Sequence, residues 1–534
     1  MAYLRSENKK GKTYLSICES YRNAQGKPQR RVLHQLGNIE ALGASSLQRI
    51  AEQILLKLKQ PSPAFEPQEL VRVNYGFAHV IYQVLLEYNL VDIFRRLTKK
   101  HKLSFSLLQP ILLMLCDRLN DPISKLGSYN VQSENYGIKD IELHHIYRSL
   151  DYLCQHNELL QQHIYERNKN LFNYKLDVVF FDVTTFYFDS DKVEENSLRQ
   201  HGFGKDGKIG KTQILFSLLI DKNKMPIGFE VFDGKKFEGH TLEVALKKLK
   251  EKYNIEKVIV VADSGMMNKQ NIAIFGKEGT AEQYEYIVGD RLKNLPHTIK
   301  NKLIDKANYR HVITNEDGTT TQACVVKTAA KTIIGTWSAK RAAKDKHDRE
   351  ARKKKAETLL KHPAQLNKKA KHYYIKNTAE NSYALDLNKI AEDAKYDGFK
   401  AISTNTSSIS IEQVIEQYCY LYTIEHSFRT FKSFLETRPM FHWTNERIQG
   451  HLVMCYIAFV VLRYLQQKSN MTENEIRKTL SKMQLSKIKN NNEIAWMKSA
   501  ENEHTQQLQQ ILKLKILPNI IQEKSINKYI PAFL

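Results

Sequence analysis

Few of the usual anchors of function are present in this 534-residue chain. Its six cysteines, Cys18, Cys116, Cys154, Cys324, Cys419 and Cys455, lie far apart, with no C-x-x-C spacing and no paired histidine ligands. That excludes a zinc module and a disulfide framework. His144 and His145, like most of the 18 histidines, show no ligand spacing and stay unassigned. No apolar run reaches membrane-spanning length, and the longest, residues 452–462, has the length of a core helix. The opening MAYLRSENKKGKTYLS lacks the apolar stretch of a secretory signal, so a reducing, cytoplasmic location is expected, with no membrane partner. A nucleotide-cradling loop is missing as well. HGFGKDGKIGKTQ, residues 201–213, approaches G-x-x-x-x-G-K-[ST], but Ile209 follows Lys208, and Lys205 stands where the second register needs Gly. The ILFSLLI that follows reads as strand, not as the helix whose N-terminus would meet phosphates. Negative charge is the last shortage: 58 acids against 81 Lys+Arg leave a net charge of +23, which points to a polyanionic partner.

Against that deficit, two acids stand in conspicuous places. LDVVFFDVTTFYF, residues 176–188, reads as a β-strand of bulky and β-branched residues with Asp182 in its middle. A carboxylate among apolar neighbours is costly unless a partner or a metal compensates it. In EKVIVVADSGM, residues 256–266, a second aliphatic run ends directly on Asp263. Between them TQILFSLLI and MPIGFEVFDG are joined by DKNK in hairpin fashion, and TLEVALKKLKEKY reads as a helix. After Asp263 a short helix and YEYIVG follow. Three meandering strands, a helix and an acid-ending fourth strand are the order of a ribonuclease H-like fold, whose first and fourth strands are neighbours. The expected fold class is therefore α/β: a mixed-sheet, ribonuclease H-like core with a strand-rich insertion and a flanking α-helical domain.

The rest of the chain divides around that core. Residues 1–65 read as a basic β-hairpin module for DNA, with TYLSICESY and RRVLHQLG joined by RNAQGKPQ. Residues 66–172 read as an all-α domain for DNA ends, 173–290 as the first part of the core, and 291–405 as an insertion. Residues 406–470 read as the end of the core, and 471–534 as a helical tail. Such a core needs a third acid from a later helix. In IEQVIEQYCYLYTIEHSFRTFKSFLETRP, residues 411–439, Val414, Tyr418, Leu421, Glu425, Phe428 and Lys432 recur at helical spacing, and Glu425 interrupts an apolar stripe. The same spacing also fits an ordinary amphipathic helix with Glu425 paired to Arg429.

These residues resemble the Asp-Asp-Glu transposases of bacterial insertion sequences, in the group called insertion sequence family 4. That group's third-acid helix follows Y-x2-R-x3-E-x6-K, and Tyr418, Glu425 and Lys432 fall in register, with Leu421 in the Arg place. FDVTTFYF, VADSGM, GTWSAKRAAKDKHDREARKKK, DGFKAISTN and LETRPMFHWTNERIQGHLVMCYIAF extend the resemblance over roughly residues 177–465. It implies that Asp182, Asp263 and Glu425 bind two Mg²⁺ ions, with Mn²⁺ as the alternative, and that Tyr418 and Lys432 hold DNA phosphates. Arg429, one turn past Glu425, could supply the charge missing at Leu421. The implied activity is cutting at element ends and joining to target DNA. The implied partners are double-stranded DNA, comprising terminal inverted repeats and target, and a second copy of the chain in the DNA complex, on the bacterial nucleoid. Two alternatives remain open: a nuclease or resolvase with the same core but no strand joining, and a catalytically inactive DNA-binding descendant. Between Asp263 and Glu425 lie 161 residues, which the strand-rich insertion of that family would fill, and YRHVITNEDGTTTQACVVKT reads as a hairpin there. Within it, residues 340–371 carry thirteen Lys/Arg against four acids. Lys340, Arg341, Lys353, Lys354 and Lys355 read either as a DNA-tracking helix or as a solvated charged one. Trp337, just before them, reads as packing more readily than as a base-stacking platform.

Overall fold

The computed structural model describes residues 2–57, 68–172, 178–202, 210–236, 241–253, 259–266, 285–314, 318–329, 331–361, 373–379, 382–490, 493–531 and 533. The centre of the loop at 201–213, the helix expected after Asp263, the tip of the NEDG turn and the basic run beyond residue 361 lie outside these. The chain forms two compact units, Met1–Val71 with Lys487–Ala495, and Arg72–Ser486 with Trp496–Leu534. The boundaries expected at 172, 290, 405 and 470 all fall inside the second unit.

In the first unit, β1 (Ala2–Lys9), β2 (Lys12–Arg22) and β3 (Pro28–Asn38) form an antiparallel sheet in that order, followed by a helix at Ala44–Lys57. The turn between β2 and β3 is where RNAQGKPQ suggests it. Asn23 accepts from the Gln25 and Lys27 amides through its side chain, and Gly26 takes the positive φ of 75° that the turn requires. The first strand has no counterpart in the expected hairpin. Its residues are mostly polar and mostly exposed on both faces, so no apolar alternation marks it.

β4 (Gln68–Asn74) runs across the unit boundary at Val71, and in the second unit helices spanning Gly76–Glu87 to Asn157–Phe172 follow. Then come β5 (Val178–Tyr187), β6 (Gln200–His201), β7 (Thr212–Asp221), β8 (Pro226–Asp233), β9 (Ile259–Ala262), β10 (Glu285–Asp290), β11 (His311–Thr314), β12 (Thr320–Lys327), β13 (Thr332–Trp337), β14 (Ile375–Ala379), β15 (Ser382–Leu385) and β16 (Phe399–Thr404). One ten-stranded sheet runs β11-β12-β13-β16-β10-β9-β5-β7-β6, with β8 on the free side of β7. Within it β8, β7 and β5 are antiparallel, while β9 and β10 run parallel to β5. That is the ribonuclease H order. The insertion does not stand apart from this core, because its strands β11–β13 extend the same sheet through β16.

Strand alternation divides the side chains of the sheet between two cores. Phe180, Phe186, Val261, Ile287 and Ile402 belong to a core shared with the helices, and Val179, Phe181, Val260, Ala262 and Val288 to a second one that includes Leu242 and Tyr253. The centre of the first core is the helix Asn445–Ser469. It is long and apolar enough to cross a membrane by length and composition, yet 94% of its apolar window is buried inside the protein. Gly450 lets it cross the helix Leu143–Gln155 closely, since a Cβ there would overlap the Leu150 carbonyl. Residues 471–534 are not a purely helical tail: beside helices at Glu473–Lys482 and Glu503–Ile511 they contain strands at Gln484–Asn490, Glu493–Lys498 and Ile520–Gln522.

Candidate active site on the sheet face

Asp182 sits half-buried in β5, between fully buried neighbours, with its Oδ1 accepting the Val183 amide at 2.7 Å. β5 and β9 pair in parallel through Phe181↔Ala262, so the next step of that register sets Asp182 beside Asp263. Alternation also fixes the face. Asp182 follows Phe180, and Asp263 follows Ile259 and Val261, so both carboxylates emerge on the side covered by helices. The third acid arrives on one of them. The helix Tyr422–Arg429 packs on β5, burying Ile424 and Phe428 and leaving Glu425 exposed.

Tyr418 ties this constellation together. It ends the preceding helix, Ile411–Cys419, and its hydroxyl rests over Gly289 of β10 beside Ser264, where a Cβ would collide with it. Burial raises its pKa, and after burial Asp263 and also Glu425 push in the same direction, while Arg341 opposes them. Both carboxylates and one guanidinium therefore act on a single phenol. Lys400 on β16 joins the group, with its ammonium 6.0 Å from the Tyr418 ring centroid. Its pKa is lowered first by burial and next by Arg341, with Cys419 and Asp263 pulling upward. Nothing in DGFKAISTN singles Lys400 out. Only the pairing of β10 with β16 brings it to this face.

The remaining predicted residues divide. Arg341 reaches the site from the first turn of the basic helix Ala339–Leu360, where it pairs with Asp345 at 2.8 Å, and Lys340 precedes it. Lys353, Lys354 and Lys355 lie about 18 Å further along the same helix at 1.5 Å per residue. There Lys353 is 3.9 Å from Glu357, and Lys354 and Lys355 are exposed. Trp337 packs against Phe399, and its indole N–H donates to the Asp397 carbonyl at 3.2 Å, so it is a structural residue. The helix expected to run unbroken from 411 is interrupted. At Tyr420–Leu421 the hydrogen bonds tighten to i→i−3, and beyond Arg429 the turn widens into a π segment, Thr430–Phe434, that carries the half-buried Lys432. Leu421 is 8% exposed and belongs to the core, so the place of the family's Arg is an apolar one here. Glu425 and exposed Arg429 form no ion pair with each other among the described residues. Asp290 shows what a structural acid looks like on this sheet. It points to the opposite face, bonded to Lys331 at 2.7 Å and to Ser403.

Comparison with known proteins bears on the whole chain. Residues 4–66 match the N-terminal domain of IS1634 family transposases, and residues 173–461 match the transposase DDE domain. No curated protein matches the chain. Among solved structures it is similar to a piggyBac transposase synaptic complex with hairpin DNA at 8% identity, covering 81% of this chain and 77% of that one with a TM-score of 0.35. At that level the likeness decides nothing; the strand order and the domain match do. More than half of the sequence lies in the DDE domain, and the chain belongs to the DDE transposases, enzymes that cut and join DNA with the help of divalent metal ions.

Proposed function

We propose that Asp182, Asp263 and Glu425 are the metal-binding catalytic acids of this transposase. The observation that carries the reading is that the β5–β9 register sets Asp182 beside Asp263 on the sheet face covered by the Glu425 helix, and that Asp263 and Glu425 both act on Tyr418. Their all-oxygen donor set suits Mg²⁺, or Mn²⁺ in its place. Among the described residues only Glu142, His144 and His145 bring three ligand atoms within 4.8 Å of one another. Two ions about 3.5–4 Å apart are the arrangement that a set of three carboxylates would serve in phosphoryl transfer. Bound there, the ions would stabilise charge developing on the phosphoryl oxygens.

The chain's own groups do the positioning. Tyr418, Lys400 and Arg341 would hold the scissile phosphate against the acids, and Lys432 and Arg429 its neighbours, which keeps the third-acid helix close to the family 4 pattern. Lys340, Lys353, Lys354 and Lys355 would track the duplex. The N-terminal sheet and the helices from Gly76 to Phe172 would bind terminal inverted repeats, with two copies of the chain on paired ends and target DNA, on the nucleoid in the cytoplasm.

The test is cleavage and joining of labelled end DNA with Mg²⁺ by Asp182→Asn, Asp263→Asn and Glu425→Gln. Each should lose both reactions while binding end DNA in the presence of a chelator as wild type does. A variant that still cleaves removes its residue from the set.

A further inference from the structure

A concave site lies at the C-terminal end of β5. The Met440 amide donates to the Tyr187 carbonyl at 3.2 Å, and the Arg438 guanidinium lies 5.2 Å from the Tyr187 ring centroid. Here a cavity of about 380 Å³ opens, with Arg118, Lys125, Arg438 and Arg447 in its wall and Glu436 as the one carboxylate. Phe441 and Trp443 stand at it, 69% and 48% exposed.

Lys125 is the telling residue. It is 6% exposed, yet among the described residues no hydrogen bond or ion pair reaches its ammonium. Arg118 donates to the Leu435 and Glu436 carbonyls at 3.0 Å and so brings its positive charge to the cavity without a carboxylate against it. Arg447 is 3.5 Å from Asp151. A buried cation with no partner is unfavourable. Burial and then Arg118 hold the Lys125 pKa down to about 7, with Cys455 and then Asp117 pulling it upward. An anion entering the cavity would stabilise the ammonium against both.

We propose that this cavity holds the 5′-terminal phosphate of a cleaved DNA strand. The inference rests on the DNA-cutting activity, whose chemistry makes such a group. Water adds to phosphorus and the P–O3′ bond breaks. The 3′-oxygen leaves as a hydroxyl, a water proton is released, and the other fragment keeps a 5′-phosphate. A phosphomonoester carries about −1.5 to −2 at pH 7, more than a diester inside a strand, and a wall in which Arg118, Lys125 and Arg438 stand beside Glu436, with Arg447 shared with Asp151, suits the larger charge. A cavity, unlike an open groove, also suits a chain end, which has strand on one side only. Tyr187 is five residues beyond Asp182, about 17 Å along the strand, a distance of only a few nucleotides. Exposed Phe441 and Trp443 give its bases an apolar surface to lie on.

The experiment uses the full chain without divalent metal, so that its outcome is independent of whether the three acids cleave. Fluorescence anisotropy compares a short oligonucleotide labelled at its 3′ end, with and without a 5′-phosphate. The phosphorylated strand should bind about tenfold more tightly, and Lys125→Met should remove that preference. If Lys125→Met does not fold, Arg447→Gln, at the rim, should reduce it. Equal affinity for the two strands, or a preference that survives in whichever variants fold, overturns the proposal. Inorganic phosphate is the competitor that separates sources: if it erases the preference at concentrations similar to those of the oligonucleotide itself, the cavity is a free-phosphate site and the strand-end assignment falls.

Discussion

Gly289 offers a test of the site that touches no acid. A Cβ built there lies 3.2 Å from both the Tyr418 Cζ and the Ser264 amide nitrogen, and closer still to the Tyr418 hydroxyl than real Cβ atoms come. In Gly289→Ala the tyrosine must retreat by about 1 Å to regain ordinary van der Waals separation. Its hydroxyl is the group on which Asp263, Glu425 and Arg341 all act, so the displacement falls where a phosphate would be positioned. A misplacement of that size costs on the order of 100-fold in rate, or about 2.7 kcal/mol in the barrier. Overpacking should also lower stability, by about 1–3 kcal/mol. Single-turnover cleavage of end DNA at saturating Mg²⁺ reads the first effect and thermal unfolding the second. Adding Tyr418→Phe removes the oxygen that collides and leaves only the tight Cζ approach, so the double variant should regain most of the stability while cleavage stays impaired. A Gly289→Ala rate within twofold of wild type would refute the reasoning, because the tyrosine would then have no part in positioning.

Four further outcomes are expected. Binding of duplex DNA should weaken steeply with salt, and replacing Lys353, Lys354 and Lys355 together by Gln should flatten the slope by about 0.9 for each phosphate that is no longer neutralised; an unchanged slope would make that end of the helix merely solvated. Because Leu421 is buried, Leu421→Arg should cost at least about 2 kcal/mol of stability. Arg429→Ala, at an exposed position, should cost under about 0.5 kcal/mol yet slow cleavage, and a rate within twofold of wild type would remove Arg429 from the residues that hold DNA. Acid should destabilise the fold. Burial holds His79 down to about 4 and His442 to about 3, and His451 well below its ordinary value. As pH falls below about 6.5 the unfolded chain takes up protons that these folded imidazoles refuse, about 1.4 kcal/mol each at pH 5.5. Asp117, raised to about 6 chiefly by burial, binds its proton first in the folded state and returns less than about 1 kcal/mol. The denaturant midpoint should therefore be clearly lower at pH 5.5 than at 7.5, and equal midpoints would contradict the burial of these rings.

What the sequence by itself determined is whatever repeats locally. Alternating or unbroken β-branched and aromatic runs mark β5, β7, β8, β9 and β10, and their order along the chain is enough to imply the ribonuclease H arrangement, with Asp182 and Asp263 as odd charges in apolar strands. Helical spacing likewise carries Glu425, Tyr418 and Lys432. Tertiary structure alone decided which local signals meet. The face on which Asp182 and Asp263 emerge follows from the register between two strands about 80 residues apart in sequence. Lys400 and Arg341 reach Tyr418 only because β16 pairs with β10 and the basic helix starts straight after β13. The break at Tyr420–Leu421 left no mark in the sequence, since a tightened turn costs little where packing holds both halves, and this same packing makes Leu421 a core residue. The strand Ala2–Lys9 and those of the C-terminal segment were hidden for the converse reason: their pairing comes from neighbouring backbones, and their side chains carry too little apolar alternation to announce it. The cavity at Lys125 is the furthest from the sequence. Its cations come from segments more than 300 residues apart, and only the packing that buries them leaves a charge in search of a partner.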